Sequence, residues 1–284
     1  MSLKNKKILI VGLGLLGGSY AQALHAKGWY VGAVNRSQGS VDYALGQGFI
    51  DEGTTEVTPE FVGKYDVVVF ALYPHVLLEW LRTYQGFLKR GALLTDVTGV
   101  KGPVVYEVQG LLEPGLEFIG AHPMAGRELS GVRNSDPAIF QGANYIVTPT
   151  DANTPEAIAD CEELGRELGF ARIVRLSPEE HDEMIAFLSQ LTHCIAVALM
   201  TCRDTASLTA YTGDSFRDLT RIARINDEMW SELFILNRSE LLSQMDLFTA
   251  QMGKIRDAIA NGDVNTLREM MRLSTERRTE FNKN

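Results

Sequence analysis

The sequence is poor in cysteine, in long apolar runs and in positive charge. Only Cys161, Cys194 and Cys202 occur in 284 residues, with no Cys-x-x-Cys spacing. That excludes a disulfide framework or a thiolate zinc site as the organising device. No His/Cys/Asp/Glu group has metal-ligand spacing, so no metal is expected. No apolar stretch approaches the ~20 residues of a membrane span, and a short basic stub leads directly into a strand, without a signal-peptide pattern. The net charge of -9 leaves no basic face of the kind nucleic acid requires. Repeats and low-complexity tracts are also missing. These absences fit a cytoplasmic location and leave the ligand open. A local Arg or Lys still suffices to bind an anionic one.

What is present is alternation. Residues 6–12, 31–34, 66–72, 92–95, 116–121, 144–148 and 171–174 read as short apolar strands. Segments of helical length, such as 75–88 and 154–168, lie between them. This order predicts a mostly parallel sheet covered on both faces. After Ser177-Pro178 the strand-like runs stop. Residues 180–203, 214–224 and 227–260 read as long helices, and a last helix follows the Asn261-Gly262-Asp263 break. The expected organisation is an α/β domain over 1–176 and an all-α domain over 177–284.

Gly12-Leu13-Gly14-Leu15-Leu16-Gly17 follows the first strand and opens a helix. That context gives Gly-x-Gly-x-x-Gly its mechanism. Gly12 allows the tight turn, Gly14 lets backbone approach a pyrophosphate, and Gly17 lets helix and strand pack closely. The helix start, with Leu15 and Leu16, offers N–H groups and a positive dipole end to phosphate. The first domain is therefore read as a Rossmann-type doubly wound domain that binds NAD. At the end of the second strand an acid usually binds the ribose hydroxyls, but here Asn35-Arg36-Ser37 stands. Asn35 can still bond a hydroxyl without repelling a 2′-phosphate, and Arg36 and Ser37 can hold one, so NADP is admitted too.

A second cluster, His122-Pro123-Met124-Ala125-Gly126-Arg127-Glu128-Leu129-Ser130-Gly131, follows the strand at 116–121. It puts His122 at the sheet edge where α/β folds bind ligands. With residues 12–19, Thr95-Asp96-Val97-Thr98-Gly99-Val100-Lys101 and Phe216-Arg217-Asp218-Leu219-Thr220-Arg221-Ile222-Ala223, the chain resembles the prephenate/arogenate dehydrogenase family of tyrosine biosynthesis. The resemblance implies oxidative decarboxylation of prephenate to 4-hydroxyphenylpyruvate, or of arogenate to tyrosine, by a monofunctional member. It implies that His122 bonds the ring hydroxyl, Arg221 binds the ring carboxylate, Glu128 lies at the site mouth and His193 meets the substrate side chain. Many relatives carry Ser where this chain has Gly99; Thr98 offers a hydroxyl at the neighbouring position, but adjacent residues point differently, and its role stays open. Many also carry His where Gln190 stands.

The residues suit that chemistry. Neutral His122 can take the hydroxyl proton, and an arginine fork binds carboxylate bidentately. By spacing alone, Arg217, Arg221 and Arg224 share a helix face that a solvated role would also explain. Ser189 and His193 share a face, and apolar neighbours favour an interior His193. His181 sits in the first turn of a helix and reads as a capping or interdomain residue. A β-hydroxyacid dehydrogenase would need a catalytic lysine in the helical domain, yet none occurs between Lys101 and Lys254. A non-catalytic NAD(P) sensor would lack the joint presence of His122 and Arg221. Leu241, Met245, Phe248, Met252, Ile255 and Ile259 form an apolar seam at steps of four and three. With the family's intertwined helical domains, the seam predicts a homodimer.

Overall fold

The structure, a computed structural model, describes residues 6–127, 129–204 and 207–281. The chain divides into two compact units, 1–237 and 238–284. The first unit is built on eight strands: β1 (Ile8–Val11), β2 (Val31–Val34), β3 (Glu52–Thr54), β4 (Val67–Phe70), β5 (Leu93–Asp96), β6 (Glu117–Pro123), β7 (Asn144–Thr148) and β8 (Arg172–Arg175). They lie in the order β3-β2-β1-β4-β5-β6-β7-β8. Its helices are α1 (Leu15–His25), α2 (Gln38–Gly46), α3 (Pro59–Val62), α4 (Pro74–Tyr84), α5 (Gly102–Leu111), α6 (Pro155–Leu168), α7 (Pro178–Ile185), α8 (Leu191–Thr201), α9 (Asp214–Thr220) and α10 (Asp227–Leu236).

The central strands are short β-branched runs buried along their whole length. Side chains alternate across a strand, so β1 feeds two cores. Ile8 and Ile10 pack with Tyr20, Leu24 and Leu164, while Leu9 and Val11 pack with Leu77, Leu81 and Leu233. Strands β1 to β6 are parallel, and β7 runs antiparallel to β6 in the register His122↔Ile146. The sheet is thus mixed at one end. The order reverses between β2-β1 and β4, which makes the β1/β4 edge the switch point where such folds bind nucleotides.

Several helical expectations are modified. The stretch expected over 214–224 is α9 followed by a 3-10 turn, Arg221–Ala223. The stretch expected over 227–260 breaks at Asn237, whose side-chain amide donates to the Asp182 carbonyl at 2.9 Å and to Gln190 Oε1 at 2.8 Å. Strand β3 has no apolar β-branched residue and escaped the pattern. From Pro178 to Thr201 one continuous helix carries a π-helical turn at Ala186–Gln190. By length and composition that helix is apolar enough to cross a membrane, contrary to the expectation that no stretch approaches a span. Its buried polar groups His181, Asp182 and Gln190 are paired within the chain.

The last strand ends at Arg175, just before the expected change at Ser177. The first compact unit also takes in α7 to α10. The second unit is a hairpin of α11 (Arg238–Ala260) and α12 (Val264–Thr279). Gly262 turns the chain with φ +66, and Asp263 caps α12 through the Thr266 N–H at 3.0 Å. Met245, Phe248, Met252 and Ile259 of the expected seam are exposed on α11, Ile255 is half-buried and Leu241 is buried.

Candidate active site

Two constellations stand on the edge formed by the C-terminal ends of the parallel strands. The first is the glycine turn after β1. Gly12 has φ +100, and a Cβ there would lie 2.5 Å from the Ala71 carbonyl oxygen. A Cβ on Gly17 would lie 1.9 Å from the Gly12 carbonyl oxygen. Gly14 is different: a Cβ built on it meets no atom within 4 Å. It caps α1 without a side-chain bond, and the first turn holds no acid. The turn is therefore closed towards the protein and open in front, with helix N–H groups facing the opening. That geometry fits a dinucleotide pyrophosphate.

Asn35 has a part in this turn. Its Oδ1 accepts the Leu13 N–H at 2.9 Å, and its Nδ2 donates to the Ser37 carbonyl at 3.3 Å. It ties the end of β2 to the glycine turn. Arg36 and Ser37 follow it, both exposed, and α2 starts at Gln38 with no side-chain bond from Ser37.

The second constellation centres on His122. It lies on β6, three strand spacings of about 4.8 Å from β1. The end of β2 receives the adenosine ribose in such folds, so the opposite direction along the edge leads to His122. The imidazole is half-buried. Its Nδ1 lies 2.8 Å from His181 Nε2, and His181 Nδ1 lies 2.7 Å from Asp182 Oδ1. Asp182 in turn accepts the backbone N–H of Lys101 and of Gly102, each at 2.8 Å. A carboxylate from α7 thus caps the N-terminus of α5, which has no cap of its own. Burial holds the His122 imidazole well below the ordinary histidine range, with further lowering from His181 and Lys101. Burial also lowers His181, against the opposing pull of Asp182.

Beneath them a buried ion pair fixes the loop after β5. Lys101 Nζ donates to Asp96 Oδ2 at 2.6 Å, with both side chains fully buried. Asp96 Oδ1 accepts the Ala121 N–H at 3.0 Å, which anchors the strand one residue before His122. A Cβ on Gly120 would lie 2.4 Å from Thr148 Oγ1, 2.6 Å from Val105 Cγ2 and 3.2 Å from Lys101 Cδ, so the glycine gives all three side chains their room.

The other expected residues fall as follows. Thr98 is buried, its hydroxyl bonded to Asp96 and receiving Lys101 Nζ at 3.1 Å. Gly99 faces α10, where a Cβ would lie 3.2 Å from Leu233 Cδ1, so the leucine crowds the place of the relatives' serine. His193 donates from Nδ1 to the Ser189 carbonyl at 2.9 Å and stacks on Trp230 with centroids 3.7 Å apart. Arg221 is exposed, on a turn packed against α8. Arg217 pairs with Asp214 in its own helix at 3.0 Å. Glu128 lies outside the described residues. His181, read from sequence as a capping or interdomain residue, is instead the partner of His122. The helix is capped by Ser177 and Glu180 in a capping box, which left His181 free to point inward. Only the adjacency His181-Asp182 hinted at this.

Residues 20–175 match the family described as prephenate dehydrogenase, nucleotide-binding domain, and residues 177–273 match prephenate dehydrogenase, dimerization domain. The chain is 31% identical over 282 residues to the cyclohexadienyl dehydrogenase of Zymomonas mobilis, covering 96% of this chain and 95% of that one. It is 28% identical over 274 residues to the prephenate dehydrogenase of Bacillus subtilis, covering 94% and 74%. Among solved structures, the prephenate dehydrogenase of A. aeolicus in complex with hydroxyphenyl propionate and NAD+ superposes with a TM-score of 0.90. That match has 29% identity and covers 99% of this chain and 100% of that one.

Proposed function

The chain belongs to the prephenate dehydrogenase family, and from that premise we propose that it converts prephenate to 4-hydroxyphenylpyruvate and carbon dioxide. It is an NAD-dependent oxidoreductase with a nucleotide-binding domain and a family dimerization domain. Bound NAD+ supplies the hydride acceptor. Gly12, Gly14, Leu15, Leu16 and Gly17 would hold its pyrophosphate, and Asn35, Arg36 and Ser37 would flank the adenosine ribose. We propose NAD as the working cofactor, with Arg36 the residue that admits NADP.

The observation that carries the reading is His122 at the end of β6, its Nδ1 2.8 Å from His181 Nε2 and its titration pushed well below the ordinary histidine range, mainly by burial. As hydride leaves the hydroxyl-bearing ring carbon, the hydroxyl proton passes to His122 and a carbonyl forms. The ring carboxylate then departs as carbon dioxide. Its bonding electron pair enters the ring, which becomes aromatic, and the carbonyl oxygen takes back the proton held by His122. The overall reaction neither releases nor consumes a proton, so His122 ends as it began. Aromatisation provides the driving force, and the protein supplies orientation and a proton acceptor. Arg221 is assigned to the ring carboxylate, with His193, Ser189 and Glu128 on the substrate side.

We further propose domains over 1–176 and 177–284, a homodimer formed through the helical domain, and a cytoplasmic location without nucleic-acid or membrane partners. The test is incubation with NAD+ and either prephenate or arogenate, following reduced nicotinamide and identifying the product. Turnover of prephenate to 4-hydroxyphenylpyruvate supports the reading. Turnover of arogenate alone would replace the substrate, and inertness toward both would overturn it.

A further inference from the structure

We infer that His181 and Asp182 are positioning residues that set which nitrogen of His122 carries its proton, so that His122 presents a bare Nε2 to the substrate hydroxyl. The inference rests on the reading of His122 as the proton acceptor. It begins at Asp182, whose carboxylate has only lone pairs to offer. Its oxygens already receive the N–H groups of Lys101 and Gly102, which fix them at the start of α5. The third contact, from His181 Nδ1 at 2.7 Å, therefore carries a proton on the histidine side.

His181 is fully buried, and burial disfavours a second proton on it. Its Nε2 is then a lone pair. That lone pair faces His122 Nδ1 at 2.8 Å, so the proton in this contact sits on His122. A neutral imidazole has one proton, and His122 has spent it on His181. Its Nε2 is left as the acceptor. The opposite assignment would point an imidazole lone pair at the Asp182 carboxylate, two acceptors at hydrogen-bond distance.

The other charged groups around the chain do not disturb this order. Lys101 Nζ is committed to Asp96 and Thr98, and Asp96 to Lys101, Thr98 and the Ala121 N–H. When His122 takes up the substrate proton, the resulting imidazolium keeps its bond to His181, and the Asp182 charge lies one ring further on. The backbone of the same turn is held from α10's end, where Asn237 donates to the Asp182 carbonyl at 2.9 Å. The relay joins β6, α5 and α7, so it forms only when the sheet and the helix after Pro178 are in place.

The test measures kcat and KM for prephenate, with NAD+ affinity, in His181→Leu, His181→Gln, His122→Asn and the double variant His122→Asn/His181→Leu. His181→Leu should lower kcat at least about tenfold and leave KM and NAD+ affinity within about twofold. His181→Gln, which offers an amide oxygen to the His122 proton, should recover most of the loss. In the His122→Asn background, His181→Leu should cost less than about twofold, because its effect runs through His122. Losses that multiply in the double variant, an unrescued His181→Gln, or a His181→Leu with kcat within about twofold of the parent would overturn the inference. A normal kcat in His122→Asn would instead remove the reading of His122 on which the inference rests. Protonation can also be read without activity. Long-range proton–nitrogen correlations on the wild-type protein, which has five histidines, should show His122 and His181 both protonated at Nδ1. A proton on Nε2 of either would overturn the assignment.

Discussion

Gly17 packs so closely on Gly12 that a Cβ at position 17 would lie 1.9 Å from the Gly12 carbonyl oxygen, while a Cβ on Gly14, two residues after Gly12, would touch nothing. The glycines of one motif thus do different work. Gly17→Ala should destabilise the fold by forcing α1 away from the turn. Gly14→Ala should leave the melting temperature of the cofactor-free protein within about 2 °C, yet weaken NAD+ binding at least about tenfold, roughly 1.4 kcal/mol. Thermal unfolding and cofactor titration read both effects. Normal NAD+ affinity in Gly14→Ala would remove the pyrophosphate from this turn.

Gly99 and Leu233 meet where many relatives have serine. Gly99→Ser should cost about 1–2 kcal/mol by pressing on the leucine, and the loss should shrink when Leu233→Val is added. Urea unfolding of the single and double variants checks this. Additive losses would show that the leucine is not the obstacle.

His122 and His181 give stability a predictable pH dependence. Burial lowers both in the folded chain, whereas an unfolded histidine titrates near ~6.5. Below that pH the unfolded state takes protons that the folded state refuses, so stability falls on acidification, by up to about 1.4 kcal/mol per pH unit for each proton. Stability is fully present above about pH 6.5. Urea midpoints between about pH 7.5 and 5.5 should fall for the parent, and less steeply for His181→Leu. A flat or rising profile would contradict the burial described for these rings.

Along α11, Met245, Phe248, Met252 and Ile259 present apolar surface that a second copy would cover. Light scattering should give a mass near twice 31.4 kDa, and Phe248→Glu with Met252→Glu should shift it toward the single-chain value. A single-chain mass for the parent across micromolar concentrations would rule out the homodimer.

Much of this was legible in the residues themselves. The run Ile8–Val11 followed by Gly12, Gly14 and Gly17 announces strand, turn and helix because each step has a local physical cause. His122 stood out for its place beside Pro123 at a strand end. What stayed hidden is long-range. His181 bonds a residue 59 positions away, and nothing in the spacing of a helix's first turn marks that partner. Gly99 reads as a lost hydroxyl until Leu233 is found against it. Thr98 carries the chemistry of a substrate ligand but spends its hydroxyl on Asp96. The break at Asn237 interrupts an unbroken helical pattern, because its amide is claimed by Asp182 and Gln190.

The most direct test of the account is the kinetic contrast between His122→Asn and Arg221→Ala with prephenate and NAD+. In the proposed role His122 acts as the hydroxyl loses its proton, so His122→Asn should lower kcat by about 10²–10⁴-fold with KM little changed. In the proposed role Arg221 would meet a carboxylate already charged before reaction, so Arg221→Ala should raise KM strongly and change kcat less. NAD+ affinity should survive both, since the Gly12–Gly17 turn is untouched. A near-normal kcat in His122→Asn would contradict the central claim that this imidazole is the proton acceptor.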